Sequence, residues 1–288
     1  MDVSKLRDHY RKNGFVVVDS GLDDSLLDAA IKDLDGFFGK DRKIPEHVPF
    51  SDYGRIQDAW HISQNVLNIA LSETISQTLL ALYKKPAVAF QTLNFERGTK
   101  QPVHSDTIHF NSEPFGSMCG VWTALEDIGE DQGPLIYYPG SHKLPEMNYP
   151  DFGLPASSCS YKHYLNQLEK LIVEHDFQPE YGTIKKGQSL IWSANLLHGG
   201  SQVKDKSLTR YSQVTHFYIG KPKAWRPSES ASNRFYFKPE TVKDVSELPY
   251  KYPLIEPPTP TSNALANRIY QAVWRRLVLP KMNPRRKH

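Results

Sequence analysis

The sequence predicts a mainly β fold, a sandwich or barrel, with α-helices at both ends. Three observations predict it. After Pro86, short runs of β-branched and aromatic residues recur, each closed by Gly, Pro, Asp or Lys. Before Pro86, apolar residues recur at helical spacing. Near the C-terminus, NALANRIYQAVWRRLVL returns to the helical period. No internal repeat or long low-complexity linker interrupts this order. The simplest division is one domain over 1–288. It has a helical part at 1–85, a β core at about 86–221 with an insertion at 145–175, and a Pro-rich and helical extension at 222–288.

Residues 2 to 13 are polar with a weak helical period, and Asn13-Gly14 ends it. The β-branched run Phe15-Val16-Val17-Val18 reads as a strand. Asp23 and Asp24 can cap a helix whose core side carries Leu26, Leu27, Ala30, Ile31 and Leu34. A second helix is expected over 64 to 83, stopping before Lys85-Pro86. The strands then follow: AVAFQTLNFERG, GVWTALEDI, GPLIYYPGSH, YGTIKKGQSLIWSANLLHGGS and TRYSQVTHFYIG. One helical interruption, 161 to 173, sits in the insertion. The last helix shows an apolar stripe of Leu265, Ile269, Val273 and Leu277, fit to pack on the domain or on a second subunit.

Composition narrows the class. The chain has 288 residues and 32.9 kDa, enough for a sizeable core. No apolar run approaches the roughly 20 residues that span a bilayer, and MDVSKLRDHYRKNGF has no apolar signal core. A net charge of +3 gives no reason to expect nucleic acid as a partner. The basic C-terminus, RRLVLPKMNPRRKH, reads as a solubilising tail. With only Cys119 and Cys159, a disulfide framework is excluded and a reducing cytoplasm fits. The expected partner is a small molecule, without stable membrane insertion; oligomeric state is not encoded legibly.

The chemistry concentrates in VHSDTIHF, residues 103 to 110. If this is a strand, His104 and Asp106 point to one face and Ser105 to the other. His109 would then face away. His198, at the end of QSLIWSANLLHGGS, is the best third ligand, and Gly199 and Gly200 leave backbone room beside a bound group. Two histidines and one carboxylate match the facial triad of non-haem Fe(II) oxygenases, although a zinc site uses the same residue types. Arg210, in LTRYSQVTHFY, can hold a distal carboxylate by two parallel hydrogen bonds. A dicarboxylate cosubstrate requires such an anchor; a hydrolytic zinc enzyme does not.

Taken in order, His104-x-Asp106, GVWTALED, GPLIYYPGSHK, HGGS and Arg210 resemble the phytanoyl-CoA dioxygenase family of Fe(II)/2-oxoglutarate oxygenases. YRKNGFVVVDSGL is similar to that family's opening, and the resemblance covers roughly 8 to 220. It implies a double-stranded β-helix core of the jelly-roll or cupin type. It implies Fe(II) held by His104, Asp106 and His198, with 2-oxoglutarate and O2 as cosubstrates. Arg210 would bind the far carboxylate of 2-oxoglutarate, joined by a hydroxyl of Ser201 or Ser212. Trp122, Gln91 and Asn94 fall where relatives contact the cosubstrate. His142, in the PGSHK turn, is expected to be structural. Asp106 occupies the position that relatives with a halide site leave as Ala or Gly, which disfavours halogenation. HGGS departs from closer relatives that carry a serine one place earlier, so the hydroxyl partner stays open between Ser201 and Ser212.

The activity implied is hydroxylation of an unactivated C–H of a small molecule, with release of succinate and CO2. Two alternatives stand beside it: a metal-dependent jelly-roll hydrolase or isomerase, and a catalytically silent ligand-binding jelly roll. Trp60, His61, His109 and Phe110 are candidate substrate contacts. His216 reads as packing, and Tyr137 and Tyr138 as sheet residues. Substrate choice is expected in segments 40 to 65, 107 to 117 and 145 to 175. Tyr149, Tyr161, His163, Tyr164 and Asn166 hint at a polar or medium-sized substrate. Scattered lysines give no sign of coenzyme A binding.

Overall fold

Asp2 caps α1 (Val3–Asn13) by accepting hydrogen bonds from the Ser4 and Lys5 amides at 2.9 and 3.4 Å. Gly14, left-handed at φ 85°, closes the helix. His142 packs where a Cβ on Gly14 would sit, and its Nε2 donates to the Arg11 carbonyl at 3.1 Å. The PGSHK turn is thereby tied to the end of α1. These features belong to a computed structural model that describes residues 2–38, 54–155, 159–230 and 234–242. The expected C-terminal helix and most of the segment expected at 40 to 65 lie outside the described residues.

The helices are α2 (Asp24–Asp35), α3 (Gln64–Ala70), α4 (Glu73–Tyr83) and α5 (Ser160–Glu174). The strands are β1 (Phe15–Asp19), β2 (Arg55–Gln57), β3 (Ala87–Phe95), β4 (Asn111–Glu113), β5 (Met118–Ala124) and β6 (Leu135–Tyr137). They continue as β7 (Glu180–Tyr181), β8 (Gln188–Ser193), β9 (His198–Gly200), β10 (Ser212–Ile219) and β11 (Lys223–Trp225). The large sheet runs β1-β8-β5-β10-β3-β2, the smaller one β7-β6-β9, and β11 pairs with β4. Every pairing is antiparallel. This is the expected mainly β, double-stranded β-helix architecture.

Alternation along the strands separates two cores. Val16, Val18, Cys119, Val121 and Ile191 face α2, α3 and α4, where Leu27, Leu34, Val66 and Leu79 are buried. Leu93, Phe95, Trp122, Trp192 and Val214 face the other way, toward Tyr137 of the small sheet. Full burial of each such side chain contributes about 1.5–3 kcal/mol. The second face is the one that carries the site.

Three elements differ from expectation. The helix expected over 64 to 83 is two, because Ser72 stops it. Its hydroxyl accepts from the Ile75 amide at 3.3 Å, capping α4, and donates to the Ser20 carbonyl at 3.0 Å. The large sheet is not confined to 86–221: it takes in the strand expected at Phe15–Val18 and adds β2, which was not expected. Finally, VHSDTIHF is no strand: His104 makes one isolated bridge with His198, and Asp106–Ile108 is a turn of 3-10 helix. Among the described residues, no helix is long and apolar enough to cross a membrane.

Candidate functional site

His104 and His198 are joined by reciprocal backbone hydrogen bonds, 2.8 Å from the His104 amide and 3.0 Å from the His198 amide. Glycine makes this approach possible. A Cβ on Gly199 would lie 2.7 Å from the Gln101 carbonyl, and one on Gly200 2.7 Å from the Thr99 hydroxyl. The room left by these glycines is therefore filled by the chain leading to His104. Ser105 caps the turn that follows, accepting from the Thr107 amide at 3.3 Å and donating to the Ala194 carbonyl at 3.1 Å. The turn swings Asp106 back toward both imidazoles. His104 and Asp106 converge, but through this turn and not through strand alternation.

Each imidazole is oriented by its own backbone. Nδ1 of His104 is 2.9 Å from the Pro102 carbonyl, and Nδ1 of His198 is 2.9 Å from the Leu196 carbonyl. A carbonyl accepts only, so both Nδ1 atoms carry a proton, and the Nε2 atoms are the ones left to face the carboxylate or a metal. Those Nε2 atoms stand 3.5 and 3.6 Å from Oδ1 of Asp106. Adjacent ligands held at about 2.1 Å on an octahedral ion are about 3 Å apart, so the buried trio fits one divalent metal with small adjustment.

The other carboxylate oxygen is held separately. The Trp192 indole donates to Oδ2 at 2.9 Å, and Nε2 of His216 lies 3.7 Å from the same atom. Nδ1 of His216 meets Oε1 of Gln91 at 2.9 Å. Gly120 stands opposite Trp192 on β5, where any Cβ would collide with the indole. Burial works against the charge of Asp106, but the facing imidazoles of His198, His104 and His216 outweigh it and hold the carboxyl well below the usual range. Burial pushes His198 down to about 4, against the pull of Asp106. It is uncharged at neutral pH, as a metal ligand must be.

These groups lie in a cavity of about 280 Å³ that also reaches Arg210. Arg210 is 1% exposed, and burial pushes its pKa down to about 10, so it is cationic at neutral pH. One terminal nitrogen donates to the Gly133 carbonyl at 2.9 Å, while Nε has no partner. The guanidinium lies 5.5 Å from the Phe95 and Trp122 ring centres. Among the described residues no carboxylate answers this charge. A buried cation without a counterion is the environment a ligand carboxylate would complete.

The remaining expected residues divide. Gln91, Trp122, His109 and Phe110 line the cavity. Asn94 does not: three residues from Gln91, it falls on the opposite face of β3, where its amide donates to Gln213 at 3.1 Å. Ser201 donates to the Pro134 carbonyl at 2.8 Å and Ser212 to the Arg210 carbonyl at 3.2 Å, and neither lines the cavity. Trp60 belongs to the helical core, and His61 stacks on it with Nε2 3.7 Å from Glu240. Both are absent from the lining. His109 does not face away, because the turn at 106–108 replaces the strand that would have turned it outward. In the insertion, Tyr149 and Tyr164 are buried in an apolar cluster and His163 and Asn166 are exposed. The Tyr161 hydroxyl lies 3.4 Å from the lining residue His109. His216, read as packing, is part of the lining. Trp192, Arg55 and Arg226 line it too and carried no sequence signal.

A family model described as phytanoyl-CoA dioxygenase matches residues 10–210. The peroxisomal phytanoyl-CoA dioxygenase of Bos taurus is 24% identical over 163 residues, covering 52% of this chain and 46% of its own length. The chain spans about half the length of the curated relatives it matches, and 62% of the Rattus norvegicus one. Among solved structures, the non-haem alpha ketoglutarate dependent carbocyclase SnoK from nogalamycin biosynthesis superposes with a TM-score of 0.61 at 16% identity. That match covers 77% of this chain and 86% of SnoK. The epimerase SnoN in complex with Fe3+, alpha ketoglutarate and nogalamycin RO gives 0.59 at 17% identity, covering 84% of this chain and 98% of SnoN.

Proposed function

The chain belongs to the phytanoyl-CoA dioxygenase family, and from that premise we propose that it is an Fe(II)- and 2-oxoglutarate-dependent dioxygenase acting on a small molecule. The observation that carries this reading is a pairing within one cavity. The Nε2 atoms of His104 and His198 and Oδ1 of Asp106 converge at one place, and the cation of Arg210, without a carboxylate partner among the described residues, sits in the same lining.

In this reading His104, Asp106 and His198 hold the metal and Arg210 takes the far carboxylate of 2-oxoglutarate. Iron and 2-oxoglutarate, when bound with O2, supply the oxidising power that hydroxylates a C–H bond while succinate and CO2 leave. The protein orients and shields. Trp192 keeps Oδ2 of Asp106 engaged so that Oδ1 faces the imidazoles. Phe95 and Trp122 keep water from Arg210 and fix its guanidinium plane. Gln91 holds His216 against the carboxylate. The low net charge and paucity of cysteines support a cytoplasmic enzyme without a nucleic-acid partner.

The test is anaerobic titration with Fe(II) and then 2-oxoglutarate, read by the weak visible charge-transfer band of such a chelate. The wild type is expected to show it. Asp106→Ala is expected to lose it, and Arg210→Met to keep metal yet need far more 2-oxoglutarate. A protein that takes zinc and ignores 2-oxoglutarate would leave the jelly-roll hydrolase as the better account.

A further inference from the structure

The cavity lining divides by chemistry. Leu93, Phe95, Trp122, Leu135, Trp192 and Val214 pack in one apolar cluster, and Phe95 and Trp122 of that cluster flank Arg210. Outside it, and among the described residues, Phe110 is the one apolar side chain of the lining. The rest is polar, with Gln57 supplied by β2 and Ser228 and Glu229 by the turn after β11. An acyl chain or a bare hydrocarbon would strip water from these groups and give them no partner in return.

The way the chain folds back decides what this polar part can accept. β11 pairs with β4, and the short turn Pro227–Glu229 packs beside the Asp106–Ile108 turn. Arg226 thereby lies 5.5 Å from the Phe110 ring centre, and one of its terminal nitrogens donates to Oε1 of Glu229 at 2.7 Å. Arg226 is thus half of an ion pair, and Arg55 has its own contacts within the protein. Glu229 is exposed at the mouth, and its Oε2 makes no hydrogen bond among the described residues. Gln57 has its amide nitrogen tied to Asp58 at 3.0 Å, which leaves its oxygen as an acceptor. Phe110 is half-buried, with its ring held 5.3 Å from that of Phe90 between centres.

We propose that the substrate is a neutral, hydroxyl-bearing ring of the sugar or cyclitol kind. Its hydroxyls donate to Oε2 of Glu229 and to the Gln57 oxygen, and its C–H face lies against Phe110. The inference rests on the oxygenase reading, which commits the Arg210 side of the cavity to the cosubstrate and leaves the polar part to the substrate. A carboxylate accepts only, and Arg226 already balances its charge, so the remaining oxygen suits neutral donors. An ammonium gains less there, because the neighbouring guanidinium repels it. The negative face of an aromatic ring attracts the C–H edges of such a ring. A site built to accept from hydroxyls rejects an analogue that lacks them, since its acceptors are then left unpaired.

The experiment loads the protein with Ni(II) and 2-oxoglutarate, so that Arg210 is engaged, and titrates it calorimetrically with two sets of six-membered rings. One set is myo-inositol and the methyl glycosides of glucose, galactose and mannose. The other is cyclohexanol, cyclohexanecarboxylate and cyclohexylammonium. At least one polyhydroxylated ring is expected to bind about tenfold or more tightly than every member of the second set. Glu229→Gln is expected to erase most of that margin. By releasing Arg226 it is also expected to strengthen cyclohexanecarboxylate, a gain that a misfolded variant does not mimic. Phe110→Ala is expected to weaken the polyhydroxylated ring without that gain. The proposal is overturned if no polyhydroxylated ring exceeds cyclohexanol, if either ion binds as tightly as the best of them, or if the margin survives Glu229→Gln. If Ni(II) and 2-oxoglutarate are not taken up, the oxygenase reading fails separately. The same two sets, titrated into the metal-free protein and its Glu229→Gln variant, then decide whether Glu229 reads hydroxyls.

Discussion

The guanidinium of Arg210 is buried among Phe95, Trp122 and the Gly133 carbonyl, with no carboxylate among the described residues to balance it. Its pKa falls from the ordinary 12.5 to about 10, so the folded state disfavours the charged form. That cost is present in full at neutral pH and fades only as pH rises through the folded value toward the ordinary one. It amounts to about 3 kcal/mol. Arg210→Met is therefore expected to raise the melting temperature of the ligand-free protein by several degrees, at about 2–4 °C per kcal/mol, while abolishing stabilisation by 2-oxoglutarate. A thermal melt with and without 2-oxoglutarate checks both, and a lower melting temperature for the ligand-free variant would refute the idea. Trp192 works through another residue. Trp192→Phe keeps the aromatic packing and removes the donor to Oδ2 of Asp106. Metal affinity is expected to drop about 10–100-fold, with little change in the fold, by competitive metal titration. His104, Asp106, His198 and Arg210 were legible because each residue type announces its chemistry and their order matches a family. Trp192 and His216 were not, since an indole or imidazole on an alternating strand reads as packing until the register shows what lies across from it. Arg55 and Arg226 were illegible for the same reason, being single cations distant in sequence from every motif.

At the scale of elements, the approach of β9 to the chain before His104 depends on Gly199 and Gly200. Neither has a left-handed φ, so the demand is for space and not for backbone freedom. Gly199→Ala sets a methyl 2.7 Å from the Gln101 carbonyl and 3.1 Å from the Val103 backbone. These are main-chain atoms that cannot swing away. The expected cost is about 1–3 kcal/mol of stability. Because the displaced backbone bears both His104 and His198, metal affinity should fall more steeply than the melting temperature. Isothermal titration beside a thermal melt separates the two, and equal losses would mean the glycines serve the fold alone. The motif HGGS was visible in the sequence; its function as a docking groove for residues 99 to 103 was not, because that contact joins segments far apart in the chain. The same limit explains α3 and α4. Their apolar period runs on through Leu71 and Ser72, and the break arises when Ser72 both caps α4 and bonds Ser20.

On the scale of the whole molecule, the two sheets meet around a centre that is polar and incompletely satisfied. Asp106, the two facing imidazoles and Arg210 are all buried there, and the described residues provide neither a fixed cation for the first group nor an anion for the last. A divalent metal and a dicarboxylate each answer one of these demands, so their binding should be coupled to folding. A ligand present at about 100 times its dissociation constant stabilises the native state by about 2.7 kcal/mol. For a chain of this size that corresponds to a melting-temperature increase of roughly 5–10 °C. Ni(II) with 2-oxoglutarate is expected to give such an increase in the wild type and more than the sum of either alone, because the metal side and the Arg210 side of the cavity are filled by one dicarboxylate. Asp106→Ala should remove the metal-dependent part and leave a small effect of 2-oxoglutarate through Arg210. If 2-oxoglutarate stabilises the wild type fully without metal, the two ends of the cavity act independently, and the geometric link between the histidine pair and Arg210 does not govern binding.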